Sequence, residues 1–491
     1  MSSKKSISIN AILNMIKTLM GVVFPLITYP YVARVLGPEY LGKVNYAQSI
    51  VSYFALIAAL GVSTYAVREG AKIRSNKDKL QEFVNEIFTV NLVTTFASYI
   101  ILFLVVTIVP QFHNYKSLIL LLSLSFIFTT IGIDWINVLF EDYFIITIRS
   151  IAVQILNLAL LFLFVKSQTD YYIYAFLTVF SNIVIAIWNF IYCRRHLNVH
   201  PTIHCRIIKH IKPLLVFFAN NLAITIYCNS DSTMIGWIVG DACVGIYGAA
   251  VKVYSIIKTL LASVYTVCIP RLTNYYAEKR LEDFSRLINS IISGLILFLI
   301  PAMMGLIVLA KPIIYFLGGT SYEGAVLTLQ ILSISLLFAI IGGVFTNCIN
   351  IPTGKEKLSL KATIFAAVIN IGLNIIFIPL WKQNGAAITT VLAELTVLIV
   401  CFLGNKEIKK ILQWKNVCVN MLHASIECFI IIGASAIIKR VTLNMLIQCA
   451  LIVVISVCIY ISLLLILKNN MALSIIAYIK MRVPKKEKNN R

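Results

Sequence analysis

The chain has few charged residues, and acidic residues are especially scarce. Only 13% of its 491 residues are charged, and 20 Asp and Glu stand against 42 Lys and Arg. Soluble domains contain roughly 25% charged residues. No polar segment here is long enough for a soluble domain, and low-complexity tracts are absent from the sequence. The sequence therefore predicts a protein with many membrane spans, and its excess of basic residues indicates membrane topology rather than nucleic-acid binding.

Motifs for hydrolysis, disulfides and metals are also missing or weak. The chain has no Gly-rich phosphate loop and no HExxH, so neither ATP nor zinc hydrolysis is expected. Its 11 Cys are scattered and predict no disulfide framework. The first apolar segment carries Lys17 and lacks a small-residue cleavage site, so we expect no cleavable signal peptide. The loop Cys193…His196…His200…His204-Cys205 has metal-ligand spacing, but Pro201 interrupts it and crowding is the simpler interpretation. We predict no metal and no cofactor.

Long apolar runs fill most of the chain. Hydrophobic residues make up 59% of it, and runs of about 20–25 residues are long enough to cross a bilayer as helices. We predict an all-α membrane fold of about fourteen spans. Leu26–Phe54 consists of two such runs joined by Gly37-Pro38-Glu39-Tyr40-Leu41-Gly42, and this pattern predicts a helical hairpin that turns at the Gly-Pro link.

The sequence contains an internal repeat. Gly37 and Gly42 match Gly240 and Gly245 at a spacing of 203 (240−37, 245−42). The polar set Asp134, Asn137 and Asn157 matches Asn347, Asn350 and Asn370 at a spacing of 213 (347−134, 350−137, 370−157). Such repeats predict two pseudo-symmetric six-helix lobes in the same orientation, plus two extra C-terminal helices. The predicted parts are an N-terminal lobe 1–195, a cytoplasmic linker 196–212, a C-terminal lobe 213–405, two additional spans 406–467 and a basic cytoplasmic tail 468–491.

Basic residues gather on alternate loops and in the tail from Lys480 to Arg491. By the positive-inside rule, this asymmetry places both termini in the cytoplasm of a multi-pass protein.

Polar residues recur at helical spacing within several apolar runs. The fourth run carries Ser123, Thr130, Asp134, Asn137 and Glu141 on one face. Such stripes must face protein or water, so they predict a hydrophilic cavity shared by both lobes, with helix–helix hydrogen bonding as the alternative. The predicted cavity residues are Asn14, Lys17, Arg34, Asp134, Asn137, Asn157, Asn220, Asp231, Lys252, Asn370 and Asn374, with Arg68, Arg149 and Lys258 as further candidates.

Lys17 and Lys252 are the strongest of these candidates. A charged residue near the centre of a span costs about 2.5–3.5 kcal/mol on insertion scales, so it indicates a function or an ion pair. Asp231 or Asp134 is a candidate to neutralise Lys252, and Glu141 or Asp142 a candidate to pair with Arg149. Excess positive charge favours an anionic cargo such as phosphate or pyrophosphate. Asn, Ser and Tyr suit sugar hydroxyls.

Several motifs resemble a known family. Tyr29-Pro30-Tyr31-Val32-Ala33-Arg34-Val35-Leu36-Gly37-Pro38-Glu39-Tyr40-Leu41-Gly42 resembles the first helical hairpin of the Wzx-type polysaccharide flippases. Gly61-Val62-Ser63-Thr64-Tyr65-Ala66-Val67-Arg68-Glu69 resembles the end of their second span. Asp231-Ser232-Thr233-Met234-Ile235-Gly236, Val244-Gly245-Ile246-Tyr247 and Ala250-Val251-Lys252 resemble their seventh and eighth spans. Ser232-Thr233 departs from the basic residue that many relatives have there.

The resemblance implies a two-lobed fold of the multidrug/oligosaccharidyl-lipid/polysaccharide exporter superfamily. It further implies a flippase that moves undecaprenyl-diphosphate-linked oligosaccharide from the cytoplasmic to the periplasmic leaflet of the bacterial inner membrane by alternating access. Surface polysaccharide (O-antigen, capsule or exopolysaccharide) would be the product, and other assembly proteins would be partners. Lys17, Arg34 and Lys252 would meet the diphosphate or acidic sugars.

Two other functions stay open at this point. A cation-coupled drug antiporter of the same superfamily would use membrane carboxylates, for which Asp134, Asp231 and Glu394 are available. A membrane enzyme of polysaccharide synthesis would be expected to carry a large extracytoplasmic loop, and the longest candidate, from Lys311 to Gly324, is short. Coupling of transport to H⁺ or Na⁺ is compatible with the sequence.

Overall fold

The computed structural model describes residues 7–194, 197–202, 207–441, 445–469 and 473, and this part of the chain contains α-helices and no β-strand. The predicted all-α membrane fold is therefore confirmed. Helices satisfy their backbone N–H and C=O groups internally, as apolar segments in lipid require. The helices are α1 (Ile7–Ala59), α2 (Val62–Ile73), α3 (Lys77–Ile108), α4 (Lys116–Gly132), α5 (Asp134–Leu139), α6 (Tyr143–Phe164), α7 (Tyr171–Cys193), α8 (Ile207–Ile238), α9 (Asp241–Thr266), α10 (Ile269–Ala277), α11 (Leu281–Val308), α12 (Ala310–Gly318), α13 (Ala325–Val344), α14 (Glu356–Gly404), α15 (Lys406–Ile411), α16 (Trp414–Val441) and α17 (Met445–Ile466). Short 3₁₀ helices at Pro110–Tyr115, Gln168–Asp170 and Thr320–Tyr322 and a π-helical turn at Phe345–Asn350 lie between them.

Within the described residues, 12 helical segments are long and apolar enough to cross a membrane. Helices α1 and α14, with 53 and 49 residues, are much longer than one crossing. At 1.5 Å per residue each would extend about 75–80 Å, whereas the hydrocarbon core is about 30 Å thick. Each contains one residue with a non-helical backbone, Gly37 (φ 71°) in α1 and Lys382 (φ 51°) in α14. The predicted number of about fourteen spans stays a prediction.

The first half of α1 runs parallel to α6. Near its start, the Thr147 hydroxyl donates to the Leu13 carbonyl at 3.1 Å. Near its end, the Tyr31 hydroxyl donates to the carbonyl of Val165, just after α6, at 2.7 Å. The start of α1 therefore lies beside the start of α6, and the two helices run in the same direction.

The second half of α1 runs back along α3. The Thr94 hydroxyl, near the middle of α3, donates to the carbonyl of Ala58 at 2.7 Å. One turn further along α3, the Ser98 hydroxyl donates to the carbonyl of Phe54, one turn earlier in α1, also at 2.7 Å. The two helices are therefore antiparallel. Helices α3 and α6 begin at the same end, where Arg74 and Glu141 form an ion pair at 3.0 Å. The chain thus reverses at Gly37, as the sequence predicts for Leu26–Phe54.

The turn of this hairpin packs against the turn between α8 and α9. A Cβ atom added to Gly42 would overlap the backbone carbonyl of Asp241, and one added to Gly245 would overlap the carbonyl of Pro38. Pro38 and Asp241 are 203 residues apart (241−38), as are Gly42 and Gly245 (245−42). The two contacts are therefore related by the spacing of the sequence repeat, and both need glycine because helix backbones meet there.

We expect Gly42→Ala and Gly245→Ala each to lower stability by about 1–3 kcal/mol, because an added methyl group forces two backbones apart. Gly372→Ala is the matched control, since a Cβ atom there has nothing within 4 Å. In a helix that change is neutral or stabilising by about 0.5–1 kcal/mol. Thermal unfolding of the purified protein in detergent measures the difference. Equal melting temperatures for Gly245→Ala and Gly372→Ala would contradict the close packing of the two turns.

The fourth apolar run is not one continuous helix. Helix α4 ends at Gly132, and Ile133 has a left-handed backbone (φ 38°) before α5 begins at Asp134. The predicted single stripe from Ser123 to Glu141 is therefore wrong, because helical spacing does not continue through a left-handed residue. The break places Asp134 at the start of α5.

The helices group into two compact units. The N-terminal unit comprises Met1–Ala249, Leu317–Tyr322 and Ile371–Ala386, and the C-terminal unit comprises Ala250–Phe316, Glu323–Asn370 and Ala387–Arg491. These units are defined by packing, whereas the predicted six-helix lobes are defined by sequence duplication. The predicted lobe boundaries stay a prediction, as does the chamber predicted between the lobes.

Candidate functional site

A buried arginine lies at the centre of a polar cluster in the N-terminal unit. Arg149 Nη2 contacts Asp134 Oδ1 at 2.9 Å, and Asn189 Nδ2 donates to the same oxygen at 3.0 Å. Asn137 Nδ2 in turn donates to Asn189 Oδ1 at 2.7 Å. The Arg149 side chain is 3% exposed, whereas that of Asp134 is 49% exposed. This Arg149 cluster (Asp134, Asn137, Arg149 and Asn189) joins α5, α6 and α7 and is accessible through Asp134.

The guanidinium of this cluster has more donors than the described residues satisfy. Arg149 Nε and Nη1 are buried, and neither has a hydrogen-bond partner among the described residues. Lys17 is half-buried, and its charge favours the ionised Asp134 carboxylate less strongly than Arg149 does. One positive charge contacts the Asp134 carboxylate, and a second, on Lys17, acts on it through space. Charge-assisted donors of this kind bind carboxylate or phosphate oxygens strongly.

The structure changes the partner expected for Arg149. The sequence offered Glu141 or Asp142, but Arg149 pairs with Asp134. Glu141 instead pairs with Arg74, and Asp142 accepts a hydrogen bond from the Tyr192 hydroxyl at 3.3 Å. The expectation was wrong because Asp134 starts a separate helix after the break at Ile133. That break removes it from the face on which a continuous helix would have placed it.

Asp231 forms a second cluster in the N-terminal unit. Its Oδ2 accepts from the Tyr247 hydroxyl at 2.5 Å, and its Oδ1 accepts from Asn374 Nδ2 at 2.7 Å. Asp231 is 6% exposed, so these bonds replace water around a buried carboxylate. The structure brings together two predicted residues that are far apart in sequence. Tyr247 was not among the predicted site residues, although it lies in the Val244–Tyr247 motif.

Lys258 and Glu394 form an ion pair in the C-terminal unit. Their Nζ–Oε1 distance is 2.6 Å, and the Glu394 side chain is 8% exposed. The Lys258 ammonium also lies over the Tyr254 ring, 5.5 Å from its centroid. A carboxylate and an ammonium this close neutralise each other. Both residues were candidates from the sequence, but their pairing was not predictable, because α9 and α14 are distant in the chain.

Asn137 and Asn350, which match in the sequence repeat, are each hydrogen-bonded to another buried asparagine. Asn137 is bonded to Asn189, and Asn350, at the predicted equivalent position, accepts from Asn405 Nδ2 at 2.8 Å. All four amides are buried. Neither Asn189 nor Asn405 was among the predicted site residues. An Asn within an apolar run, such as Asn189, is a signal for interhelical bonds, whereas Asn405 lies in the link between α14 and α15 and gives no such signal.

The other predicted site residues are spread over both units. Lys252 is half-buried, Arg34 is exposed, and Arg68 is exposed with its Nε 3.8 Å from Glu69. Asn370 Nδ2 donates to Thr389 at 3.3 Å. Asn157 Oδ1 is buried without a hydrogen-bond partner among the described residues. The side chains of Asn14 and Asn220 lie outside the described ones.

A buried His–Glu–Tyr group was missed entirely. His210 Nε2 contacts Glu86 Oε2 at 2.8 Å, and His210 Nδ1 contacts the Tyr65 hydroxyl at 2.8 Å. All three residues are buried. Tyr65, Glu86 and His210 lie far apart in the sequence, so their contact could not be predicted from their spacing.

The His/Cys loop gives no metal site among the described residues. His196, His204 and Cys205 lie outside them, and no group of three His, Cys, Asp or Glu side chains in the described part of the chain is arranged to hold a metal ion. His200 Nε2 instead contacts Asn85 Nδ2 at 3.1 Å, in a segment that is not helical.

The chain is similar to known families and to proteins of polysaccharide transport and biosynthesis. A family model described as "Polysaccharide biosynthesis protein" matches residues 4–276, and a model described as "MatE" matches residues 217–376. A protein of Escherichia coli (strain K12) named "Putative O-antigen transporter" is 24% identical over 394 residues, covering 78% of this chain and 93% of the relative. The "Capsular polysaccharide biosynthesis protein CapF" of Staphylococcus aureus is 24% identical over 398 residues, covering 77% and 93%.

Solved structures support the same fold. The lipid II flippase MurJ in an inward closed conformation superposes with a TM-score of 0.75 at 17% identity, covering 94% of this chain and 99% of that chain. An inward-facing multidrug resistance MATE transporter of the MOP superfamily superposes with a TM-score of 0.61 at 18% identity, covering 82% and 98%. At such identities the likeness establishes the fold alone.

Proposed function

The chain belongs to the polysaccharide biosynthesis protein family, and from that premise we propose that it is a flippase for a lipid-linked oligosaccharide. The membership follows from the family model that matches residues 4–276. It agrees with the resemblance to Wzx-type flippases read from the Tyr29–Gly42 motif. The relatives and structural neighbours are named as transporters, flippases or polysaccharide biosynthesis proteins, and this favours transport over catalysis.

The proposed cargo is an oligosaccharide repeat unit linked to undecaprenyl diphosphate. The observation that carries this proposal is the Arg149 cluster, in which two buried guanidinium nitrogens have no partner among the described residues. The charge of Lys17 also acts on Asp134 through space. A diphosphate offers several charged oxygens to such donors. Arg34 and Lys252 would supply further positive charge along the path of the cargo.

The proposed direction of transport is from the cytoplasmic to the periplasmic leaflet of the bacterial inner membrane, by alternating access. Both termini would lie in the cytoplasm, as the basic loops indicate. A potential that is negative inside contributes about 2.3 kcal/mol per charge per 100 mV, and it drives an anionic head group outward. Coupling to H⁺ or Na⁺ is part of the proposal as an additional driving force. Other proteins of polysaccharide assembly would act on the delivered repeat unit.

The deciding experiment is deletion of the gene. We expect the deletion strain to lose surface polysaccharide and to accumulate a lipid-linked glycan in the inner leaflet of the plasma membrane, because synthesis continues while translocation stops. Extraction of polyprenyl-linked lipids with mass spectrometry identifies the glycan, and probing intact spheroplasts and inverted vesicles with a membrane-impermeant lectin or glycosidase assigns its leaflet. Wild-type polysaccharide without any accumulated intermediate would refute the proposal.

The carboxylates that a cation-coupled drug antiporter would need are already engaged. Asp134 pairs with Arg149, and Glu394 pairs with Lys258. Asp231 accepts two hydrogen bonds from Tyr247 and Asn374. These contacts favour the anionic cargo over a cation.

A further inference from the structure

A polar cavity of about 320 Å³ opens in the C-terminal unit, where α11 and α16 begin and α17 ends. The side chains that carry its chemistry are Arg286, Asn289, Asn420, His423 and Lys468. We call it the α11–α16 cavity. None of these residues takes part in the transport site proposed above, and α16 and α17 lie outside the predicted repeat.

Hydrogen bonds fix the wall of the cavity that α11 provides. Asn289 is 6% exposed. Its Oδ1 accepts from the Gln413 backbone N–H at 2.8 Å, and its Nδ2 donates to the Ile411 carbonyl at 2.7 Å. These two bonds fasten the segment that joins α15 to α16 against α11. This wall of the cavity is therefore held in place by bonds within the protein.

Hydrogen bonds also fix the opposite wall. Asn469 Nδ2 donates to Asn420 Oδ1 and to His423 Nδ1, both at 2.9 Å. Both asparagines are buried. Because Nδ1 of His423 accepts, the ring proton lies on Nε2, and the imidazole is a donor there. The Nδ2 hydrogens of Asn289 and Asn469 are used within the protein, on the Ile411 and Ser285 carbonyls and on Asn420 and His423. These amides therefore hold the cavity in shape, and the donors for an anion are His423 Nε2 and the basic side chains of Arg286 and Lys468.

The charged side chains that line the α11–α16 cavity are all basic, among the described residues. Arg286 and Lys468 contribute two positive charges, and none of the described residues that line it is acidic. Asp283 contacts Arg286 Nη1 from the side at 3.6 Å, and the Arg286 side chain is 75% exposed. An ion pair this long and this exposed contributes little stability. An entering phosphate therefore competes with a weak partner.

A neighbouring cavity in the C-terminal unit differs in the charge of its lining residues. It has a volume of about 470 Å³ and shares Arg286, but it is also lined by Glu282, Glu407 and Lys410. Two carboxylates there balance two basic groups. Of these two cavities at the same end of the C-terminal unit, only the α11–α16 cavity carries a net positive charge on its described residues.

We propose that the α11–α16 cavity binds the phosphate group of an anionic membrane lipid. It lies where three apolar helices begin or end, and the ends of spanning helices are where a membrane protein meets lipid head groups. Basic pockets between helices at the cytoplasmic surface suit anionic head groups, and the positive-inside pattern places this end in the cytoplasm. The volume accommodates a phosphate with its glycerol linkage. This site is independent of the transport proposal, because it uses none of the same residues.

The test compares lipid binding to the purified full chain in detergent. Native mass spectrometry counts the phosphatidylglycerol or phosphatidylcholine that each variant retains. The test variant is Arg286→Gln/Lys468→Gln, whose substituted side chains are exposed. The matched control is Lys406→Gln/Lys410→Gln, which removes the same charge from exposed residues of α15. Melting temperatures of both variants are measured in the same preparations, and added inorganic phosphate tests a soluble anion as the occupant.

We expect the wild-type protein to prefer phosphatidylglycerol and the test variant to bind it about 30-fold more weakly, with the control unchanged. Inorganic phosphate at millimolar concentration should displace little of the lipid, because it lacks the apolar chains. Equal retention by the test variant and the wild type would overturn the proposal, as would equal binding of the two lipids. Full displacement by inorganic phosphate would overturn the lipid assignment in favour of a soluble anion.

Discussion

Replacement of Lys17 or Lys252 with alanine is expected to stop surface polysaccharide assembly, while the protein still inserts into the membrane. Each lysine carries a positive charge in an apolar segment, where it costs about 2.5–3.5 kcal/mol on insertion scales. Insertion therefore becomes easier when the charge is removed. Under the proposed function, the variant loses the attraction for the diphosphate or acidic sugar of the cargo. The charge of Lys17 acts on Asp134 of the Arg149 cluster through space, and both lysines are half-buried.

The measurement is the amount of surface polysaccharide in a deletion strain that expresses each variant at the native level. Membrane fractionation verifies the amount of inserted protein. Lys311→Ala is the control, since Lys311 lies on the short helix α12 with a side chain that is 54% exposed. Arginine at either position should restore part of the activity, because it keeps the charge. Normal polysaccharide in both alanine variants would argue against an anionic cargo at these residues.

Asp134→Ala is expected to destabilise the protein by about 3–5 kcal/mol, because it leaves the buried charge of Arg149 without its carboxylate. The double variant Asp134→Ala/Arg149→Met should regain much of that loss, since it removes the charge and keeps an apolar side chain of similar length. The pair is short, at 2.9 Å, and Arg149 is 3% exposed. Urea or thermal unfolding in detergent gives the free energies.

Glu141→Ala is the matched control for this experiment. It removes a carboxylate from the Arg74 pair, in which the two side chains are 39% and 53% exposed. An exposed pair of this kind contributes at most about 1 kcal/mol. If Glu141→Ala proved as damaging as Asp134→Ala, or if the double variant regained nothing, the assignment of Asp134 as the partner of Arg149 would be wrong.

Much of the helical framework follows from local features of the sequence. Apolar runs of sufficient length must form helices in lipid, so composition and run length predict the membrane class. The hairpin at Gly37 was predictable because Gly-Pro marks a turn, and Gly37 adopts φ 71° there. The spacing of 203 residues predicted that the segment around Gly240 would turn similarly, and Gly240 has φ 116°.

The break at Ile133 was not predictable in the same way. Ile133 is β-branched, and its left-handed backbone (φ 38°) is unfavourable in isolation. Packing of α4 and α5 against their neighbours stabilises it, and Ile133 is 1% exposed. A sequence pattern reports what a residue prefers, so it cannot reveal a conformation that tertiary contacts impose. This one residue accounts for the wrong stripe and for the wrong partner of Arg149.

The sequence by itself determined that this is a membrane protein of many helices, where it turns at Gly37 and which family it resembles. Those properties depend on hydropathy, on glycine and proline, and on short motifs, all of which are local. Only the tertiary structure decided which side chains meet: Asp134 with Arg149, Asp231 with Asn374, and Lys258 with Glu394. Such pairing depends on how each helix is rotated about its axis, and that rotation is set by the packing of all its neighbours.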